Sequence, residues 1–288
     1  LGKSIDTLVS DIYGLFKNGN GWSPDPERVQ KFGLELGQHI ANRASEDRGN
    51  PTLRLSNLGL PDRKLWYTVN KPHLAEDLPP EARIKFLFGD VLESLLLFLA
   101  EEAGHDVRGQ QDEIEINGVK GHRDAVIDGR VVDCKSASTY SFRKFESNGL
   151  RSDDPFGYLN QLGSYLAGSP DAVEKDVASF LVIDKTLGKI TLDTYPKDDT
   201  DYDQLVEHKR SVLALPEPPP EKCYPDEPEG KSGNRKLAVG CSYCPFKHDC
   251  WSGLRTFIYS TGPTFLTSVV KEPKVPEVNR HGEIVHKF

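Results

Sequence analysis

The sequence predicts an α/β fold, a mixed sheet with helices on its faces. Three observations carry this expectation. Apolar residues recur at helical spacing over several stretches. Short β-rich runs bounded by turn dipeptides lie between them. The order is helices, a long helix, a strand, a hairpin, a helix, two strands and a helix, which suits a sheet covered on both faces. The 288 residues allow one large domain, or one domain with an appendage.

Residues 4–17 place Ile5, Leu8, Val9, Ile12, Leu15 and Phe16 at helical spacing, and Gly19 and Gly21 end that helix. Ser23-Pro24 starts a second helix, with Ser23 as its cap, which runs through Val29, Phe32, Leu34, Leu36 and Ile40. Together they form an N-terminal helical region, 1–50, read as packing elements or a lid. Residues 52–69 hold Arg54, Arg63 and Trp66; a turn capping the core and a nucleic-acid contact are equally good readings of them. A long helix follows from Pro80 to Gly104. Its apolar residues wrap most of the way round, so it should be buried. Glu93 lies among them, and a carboxylate there needs a partner.

Residues 107–116 read as a strand and Asn117-Gly118 as a turn. Residues 119–127 and 130–137 then read as a hairpin closed by Asp128-Gly129. Asp133 and Lys135 sit two apart, so both leave the same face, while Val132 and Cys134 point the other way. The hairpin brings Asp124 within reach of that pair. Two carboxylates and a lysine on one sheet face make a poor core unless a cation sits between the acids. Oxygen donors suit a hard ion, Mg²⁺ or Mn²⁺. A solvated face with an ordinary salt bridge is the plainer reading of an isolated D-x-K. Beyond the hairpin, residues 156–166 read as a helix, 177–184 and 189–195 as strands, 201–213 as a helix and 216–220 as a stiff proline linker.

No apolar run reaches membrane-spanning length, no secretory signal is expected at the start, and no membrane partner is expected. The net charge of −8 argues against a body coated in nucleic acid but permits a local basic channel.

Four motifs now follow one another: Gly89-x-x-x-Glu93 on a helix, Gly121-His122-Arg123-Asp124, Asp133-Cys134-Lys135, and Gln161-Leu-Gly-Ser-Tyr165 on a later helix. Over residues 53–251 this resembles the PD-(D/E)XK nuclease superfamily, in its RecB-like exonuclease branch. The first motif departs from the RecB pattern, which has His where Glu93 stands; glutamate there resembles the lambda-type phage exonucleases. The resemblance implies a restriction-endonuclease-like core, 51–214, with a central mixed sheet flanked by helices and a C-terminal cysteine-stapled segment. It implies that Asp124 and Asp133 hold a divalent metal, with the Cys134 carbonyl and Glu93 as further ligands. Lys135 would orient the attacking water or stabilise charge developing on phosphorus. Gln161 and Tyr165, one helical turn apart, would hold the lysine, the water or a phosphate oxygen. A buried polar pair that satisfies itself is the alternative for those two. Arg143, Lys144 and Arg151 are candidates for a phosphate track, and Phe142 or Phe145 for base stacking. A solvated charged face is the alternative for each cation.

Cys241-x₂-Cys244-x₅-Cys250 has metal-ligand spacing, within residues 215–262. Five cysteines, three of them within ten residues, suit a metal site in a reducing compartment, hence a cytoplasmic location. The triplet is similar to that of Fe–S-bearing RecB-like nucleases, among them CRISPR-associated exonucleases. There a fourth Cys precedes the core; here Leu60-Pro61-Asp62-Arg63 holds none, which leaves Cys223 as the fourth ligand. The resemblance implies a [4Fe–4S] cluster, and four thiolates suit Zn²⁺ equally well. Pinning the C-terminal segment is the expected role, and residues 263–288 read as an arm or loose tail.

The expected function is a divalent-metal-dependent DNA exonuclease acting on single- or double-stranded ends in recombination, repair or phage DNA processing. A structure-specific endonuclease on the same fold and a non-cleaving nucleic-acid-binding module are the alternatives. Oligomeric state has no signature in the sequence.

Overall fold

A computed structural model of the chain describes residues 2–17, 19, 21–44 and 50–286. The chain divides into two compact units. One comprises Leu1–Gly59 and Pro79–Lys209; the other comprises Leu60–Leu78 and Arg210–Phe288. The N-terminal helices therefore belong with the expected core, and residues 60–78 belong with the cysteine-bearing segment.

The first unit is built on helices α1 (Leu8–Leu15) and α2 (Pro26–Ala44), and on α4 (Pro80–Glu102). Strands β1 (Val107–Arg108), β2 (Glu113–Ile116), β3 (Val119–His122), β4 (Ala125–Ile127) and β5 (Arg130–Ala137) follow. Then come α5 (Thr139–Glu146), α6 (Tyr158–Ala167), β6 (Val177–Asp184), β7 (Ile190–Pro196) and the start of α7 (Tyr202–Leu213). The main sheet has the order β1-β4-β5-β6-β7. Strands β5 and β6 are parallel; the other neighbours are antiparallel. A parallel pair needs a long crossover, and α5 and α6 supply it. This is the mixed sheet with helices on both faces that the sequence predicts, in a restriction-endonuclease-like arrangement.

Strand alternation divides the core. Ala125, Ile127, Val132, Cys134, Leu181 and Ile183 turn to one face, against Leu8 and Ile12 of α1 and Leu96 and Ala100 of α4. Val126, Val131, Phe180 and Val182 turn to the other, against Phe142, Phe145, Leu162, Tyr165 and Val206. Burying each such aliphatic or aromatic side chain contributes about 1.5–3 kcal/mol. Phe142 and Phe145 are thus core residues, and the base-stacking role weighed for them is corrected. On α5 they lie three apart, so one turn of helix points both at the sheet.

Several expectations about elements change. Asp25, not Ser23, caps α2: its carboxylate accepts the N–H groups of Glu27 at 2.8 Å and Arg28 at 3.2 Å. Helix α4 is buried only in its second half. Helix α2 covers it back to Asp90, where Arg43 makes a bidentate pair at 2.6 and 2.7 Å. Ahead of that point Ile84, Phe86 and Phe88 are exposed. The single strand expected over 107–116 is two, β1 and β2, parted by a turn with Gly109 at φ +59° and Gln111 at φ +57°. The first arm of the expected hairpin is also two strands. Strand β3 pairs with β2 in a separate two-stranded sheet, and β4 pairs with β5. The break falls at Arg123-Asp124. Three polar residues in a row, His122-Arg123-Asp124, stand at it, and burial turns there from alternating in β3 to continuous in β4.

The second unit holds α3 (Asp62–Asn70) and the short helices α8 (Val239–Ser242) and α9 (Lys247–Cys250). An antiparallel sheet of order β13-β12-β10-β11-β9-β8 accompanies them. Its strands are β8 (Glu227–Pro228), β9 (Arg235–Lys236), β10 (Arg255–Tyr259), β11 (Gly262–Ser268), β12 (Glu277–Val278) and β13 (Ile284–His286). Eleven of the 24 described residues in the region read as an arm or loose tail, 263–286, are therefore sheet strands. Its own core gathers Trp66, Tyr67, Val212, Cys244 and Phe246.

Candidate active site

Strand β5 carries Asp133, Cys134 and Lys135 through the middle of the sheet, between β4 and β6. Asp133 is fully buried. The Lys135 ammonium pairs with its Oδ2, and its Oδ1 has no hydrogen-bond partner. Asp124 sits where the chain leaves β3 and enters β4. Its Oδ2 accepts the Cys134 N–H at 2.6 Å, so the carboxylate takes the place of a ladder carbonyl beside β5. Glu93 comes from α4, four residues after Gly89. Its Oε1 accepts from Gln111 Nε2 at 2.6 Å.

The electrostatics tie these groups together. Burial, and then the charges of Asp133 and Glu93, push Asp124 well above the usual carboxylate range. Burial and the charge of Asp133 push Glu93 up to about 7, against the pull of Gln111 and Lys135. Burial raises Asp133 too, with Lys135 opposing it. Burial also works against the charge on Lys135, but Asp133 and Asp124 outweigh it and lift the ammonium upward. Three acids therefore crowd one lysine, and burial raises all three, with mutual repulsion adding to it at Asp124 and Glu93. Among the described residues, no three His, Cys, Asp or Glu side chains stand in a closed metal cage. Each carboxylate is turned instead to its own protein donor. The donors are oxygens throughout, which fits a hard divalent ion, and Asp133 Oδ1 is a buried acceptor that such an ion would satisfy.

Gln161 and Tyr165 lie on α6, where Gln161 Nε2 donates to the Tyr165 hydroxyl at 3.0 Å. They do satisfy one another in part. Tyr165 also faces the acids: burial and then the charge of Asp133 raise its pKa. Of the three phosphate-track candidates, Lys144 lines a cavity together with Lys135 and pairs with Asp153. Arg143 is exposed on α5. Arg151 packs over the Tyr195 ring at 5.5 Å and lines a separate cavity, so it is not gathered with Lys135.

Three supporting residues escaped the sequence reading. Gln111 donates its backbone N–H to the Asp124 carbonyl at 3.3 Å and its side chain to Glu93, so one turn residue positions two acids. Arg123 is the largest fully buried side chain, and its guanidinium grips both oxygens of Asp171 at 2.5 and 2.6 Å. That grip fixes the break in the strand at Asp124. Tyr158 offers its ring to the Lys135 ammonium at 5.4 Å. Gly121 had a visible signal: a Cβ there would stand 2.7 Å from Leu55 Cβ, so only glycine lets the Leu55–Asn57 turn lie on β3.

The second unit gathers the other predicted ligands. Cys223, Cys241, Cys244 and Cys250 line one cavity of about 20 Å³, room for one water-sized occupant. All are free thiols. Burial pushes Cys241 up to about 11, and burial raises Cys223 and Cys244 as well. In the stretch where the resemblance would place a fourth cysteine, Arg63 donates Nε to Cys250 Sγ at 3.1 Å.

No family model and no curated protein matches the chain. Solved structures do. The crystal structure of SSO0001 aligns with a TM-score of 0.41 and 16% identity, over 76% of this chain and 95% of that one. An alkaline exonuclease from Laribacter hongkongensis, LHK-Exo, aligns with a TM-score of 0.36 and 15% identity, over 62% of this chain and 91% of that one. LHK-Exo in complex with dAMP aligns with a TM-score of 0.34 and 16% identity, over 56% and 87%.

Proposed function

We propose that this chain is a divalent-metal-dependent nuclease of the PD-(D/E)XK type, RecB-like, which hydrolyses phosphodiester bonds from DNA ends. One observation carries the reading: a buried Asp133 with an unpartnered oxygen, paired to Lys135 and crowded by Asp124 and Glu93. Asp133 and Asp124 would hold Mg²⁺ or Mn²⁺, with Glu93 and the Cys134 carbonyl as further donors. When bound, such an ion polarises the scissile phosphate and lowers the pKa of a water. Lys135 stays charged beside Asp133 and stabilises negative charge that develops on the phosphoryl oxygens. Tyr165 keeps its proton, so the Gln161–Tyr165 pair is a donor to a phosphate oxygen or to the attacking water. Gln111 and Arg123 hold the acids in register and touch no substrate.

For the cysteines the reading is structural. Four thiols around a cavity with room for one water-sized occupant suit a single Zn²⁺; the [4Fe–4S] cluster that the resemblance implies would need the cavity to widen, and a visible absorption spectrum separates the two.

The test is digestion of end-labelled linear DNA with Mg²⁺, beside the same sequence as a closed circle. Loss of label from linear DNA alone supports the exonuclease. Cutting of the circle makes the chain an endonuclease on the same fold. No cutting of either, with DNA still bound, leaves the non-cleaving module.

A further inference from the structure

The cations around the four thiols have no part in the reaction as described, and two of them converge on one sulfur. Arg63 donates Nε to Cys250 Sγ at 3.1 Å, and the Lys222 ammonium stands 3.9 Å from the same atom. Each cation is also fixed by a second and a third contact. Arg63 donates to the Pro219 carbonyl and lies over the Tyr67 ring at 5.6 Å. Lys222 donates to the Cys250 carbonyl and lies over the Trp251 ring at 5.0 Å. Two other thiols meet backbone amides instead: the N–H of Lys64 faces Cys223 and that of Phe246 faces Cys244. Two neighbouring acids are engaged elsewhere, Asp249 by Arg280 at 3.1 Å and Glu76 by Lys247 and His248. Cys241 and Cys244 are buried, whereas Cys250 is only half-buried. The charged donors thus stand at a thiol that water can also reach.

We propose that Arg63, supported by Lys222, is a positioning residue of a tetrathiolate zinc site: it holds Cys250 as a charged ligand and offsets the surplus charge of the site. The inference rests on the reading of the four cysteines as metal ligands. Four thiolates around one Zn²⁺ carry two surplus negative charges. In a site withdrawn from water that surplus is unfavourable unless cations face it. Arg63 and Lys222 face it at Cys250. A hydrogen bond to a metal ligand also fixes the ligand's orientation. A guanidinium suits this task, because it is always charged and its Nε–H points in a fixed direction, set here by Pro219 and Tyr67. The stretch where the resemblance places a fourth cysteine thus gives the site a cation in place of a ligand.

The test uses the full chain loaded with Zn²⁺ and titrated with a chromophoric chelator. Arg63→Met should lower zinc affinity about 10–100-fold. Arg63→Lys should recover part of the loss, since the charge returns without the directed Nε–H. Lys222 is exposed, so Lys222→Met should fold, and it should weaken binding by a smaller factor. Cys250→His separates this role from a packing role. It keeps a zinc ligand but a neutral one, so Arg63→Met in that background should cost no affinity. With Co²⁺ in place of zinc, the thiolate-to-metal absorption band should move in Arg63→Met. It should stay in place in Arg280→Gln, whose exposed side chain meets Asp249 and not a thiol. Unchanged zinc affinity in Arg63→Met and Lys222→Met would overturn the proposal and leave the zinc site standing. An equal loss from Arg63→Met in the wild-type and Cys250→His backgrounds would overturn it too, as packing alone. Should Arg63→Met fail to fold, Lys222→Met decides in the same sense. A wild-type protein that takes up neither Zn²⁺ nor Co²⁺ ends the metal reading of the cysteines, and this role with it.

Discussion

The acids around Asp133 and the thiols around Cys244 are both clusters of ionisable side chains withdrawn from water, yet they are assembled in opposite ways. The acids come from α4, from the break between β3 and β4, and from β5, with α6 closing in. The thiols come from ten neighbouring residues and one cysteine a short way upstream. A buried thiol rests as a neutral group, and burial raises Cys241, Cys223 and Cys244 toward that form. The acids are costlier: three of them lean on one lysine, one glutamine and one backbone amide. Groups that are inexpensive to bury suit a scaffold. Groups kept at a cost, with an oxygen unsatisfied, suit chemistry.

The comparison breaks first at Lys135. Lys135→Ala should lower kcat about 10²–10³-fold, the effect of removing one preorganised electrostatic donor, in a single-turnover digest. Cys241→Ser assayed below its own melting temperature should leave kcat close to wild type. Comparable losses in both variants would mean that the two clusters do one job.

The next effect is on stability. Asp171→Ala should cost about 3 kcal/mol in denaturant unfolding, because Arg123 would stay buried with only Asp112 at 3.2 Å to answer it. Arg123→Met should cost less, since the Asp171 it abandons is already exposed. The reverse order would show that the pair matters for packing alone.

The cysteines should answer to metal. Cys241→Ser with Cys244→Ser should abolish bound metal and lower the melting temperature by more than about 5 °C. A full metal content in that double variant would contradict the shared cavity.

The smallest effect lies outside both clusters. Burial pushes Asp193 up to about 6, against the hydrogen bonds from Tyr195 and Asn148 and the charge of Arg151. Folding thus favours the protonated acid. Its contribution is full below about pH 4, where unfolded aspartate titrates, and is lost as pH rises through about 6. Asp193→Asn should flatten that part of the stability profile, read as melting temperature between pH 4 and pH 7. An unchanged profile would show that Asp193 titrates normally.

The sequence made some of this legible for plain reasons. Spacing of two along a strand put Asp133 and Lys135 on one face, and spacing of four on a helix joined Gln161 to Tyr165. The mixed sheet with helices on its faces followed from the succession of helices and strands, but its strand order did not. The rest was hidden because it depends on where the chain turns. Gln111 reaches both Asp124 and Glu93 only from a left-handed turn conformation at φ +57°, which no motif announces. Arg123 meets a partner 48 residues away. Phe142 and Phe145 stand beside Arg143 and Lys144, a pattern that suits stacking on bases as well as it suits an amphipathic helix; burial decides for the latter. Lys185 sits in a turn, where only the folded chain shows that it lines one cavity with Lys135. Exposure of Ile84, Phe86 and Phe88 was missed because an all-round apolar helix implies cover that α2 gives to only half of it.

The most direct measurement is calorimetric titration of Mn²⁺ into the chelator-treated protein near pH 8, repeated on Asp133→Asn. The cysteine site is left loaded or blocked equally in both. Wild type should bind an ion at the acids, and the variant, which keeps the shape but not the charge, should lose that binding. Equal Mn²⁺ affinity in the two proteins would contradict the account.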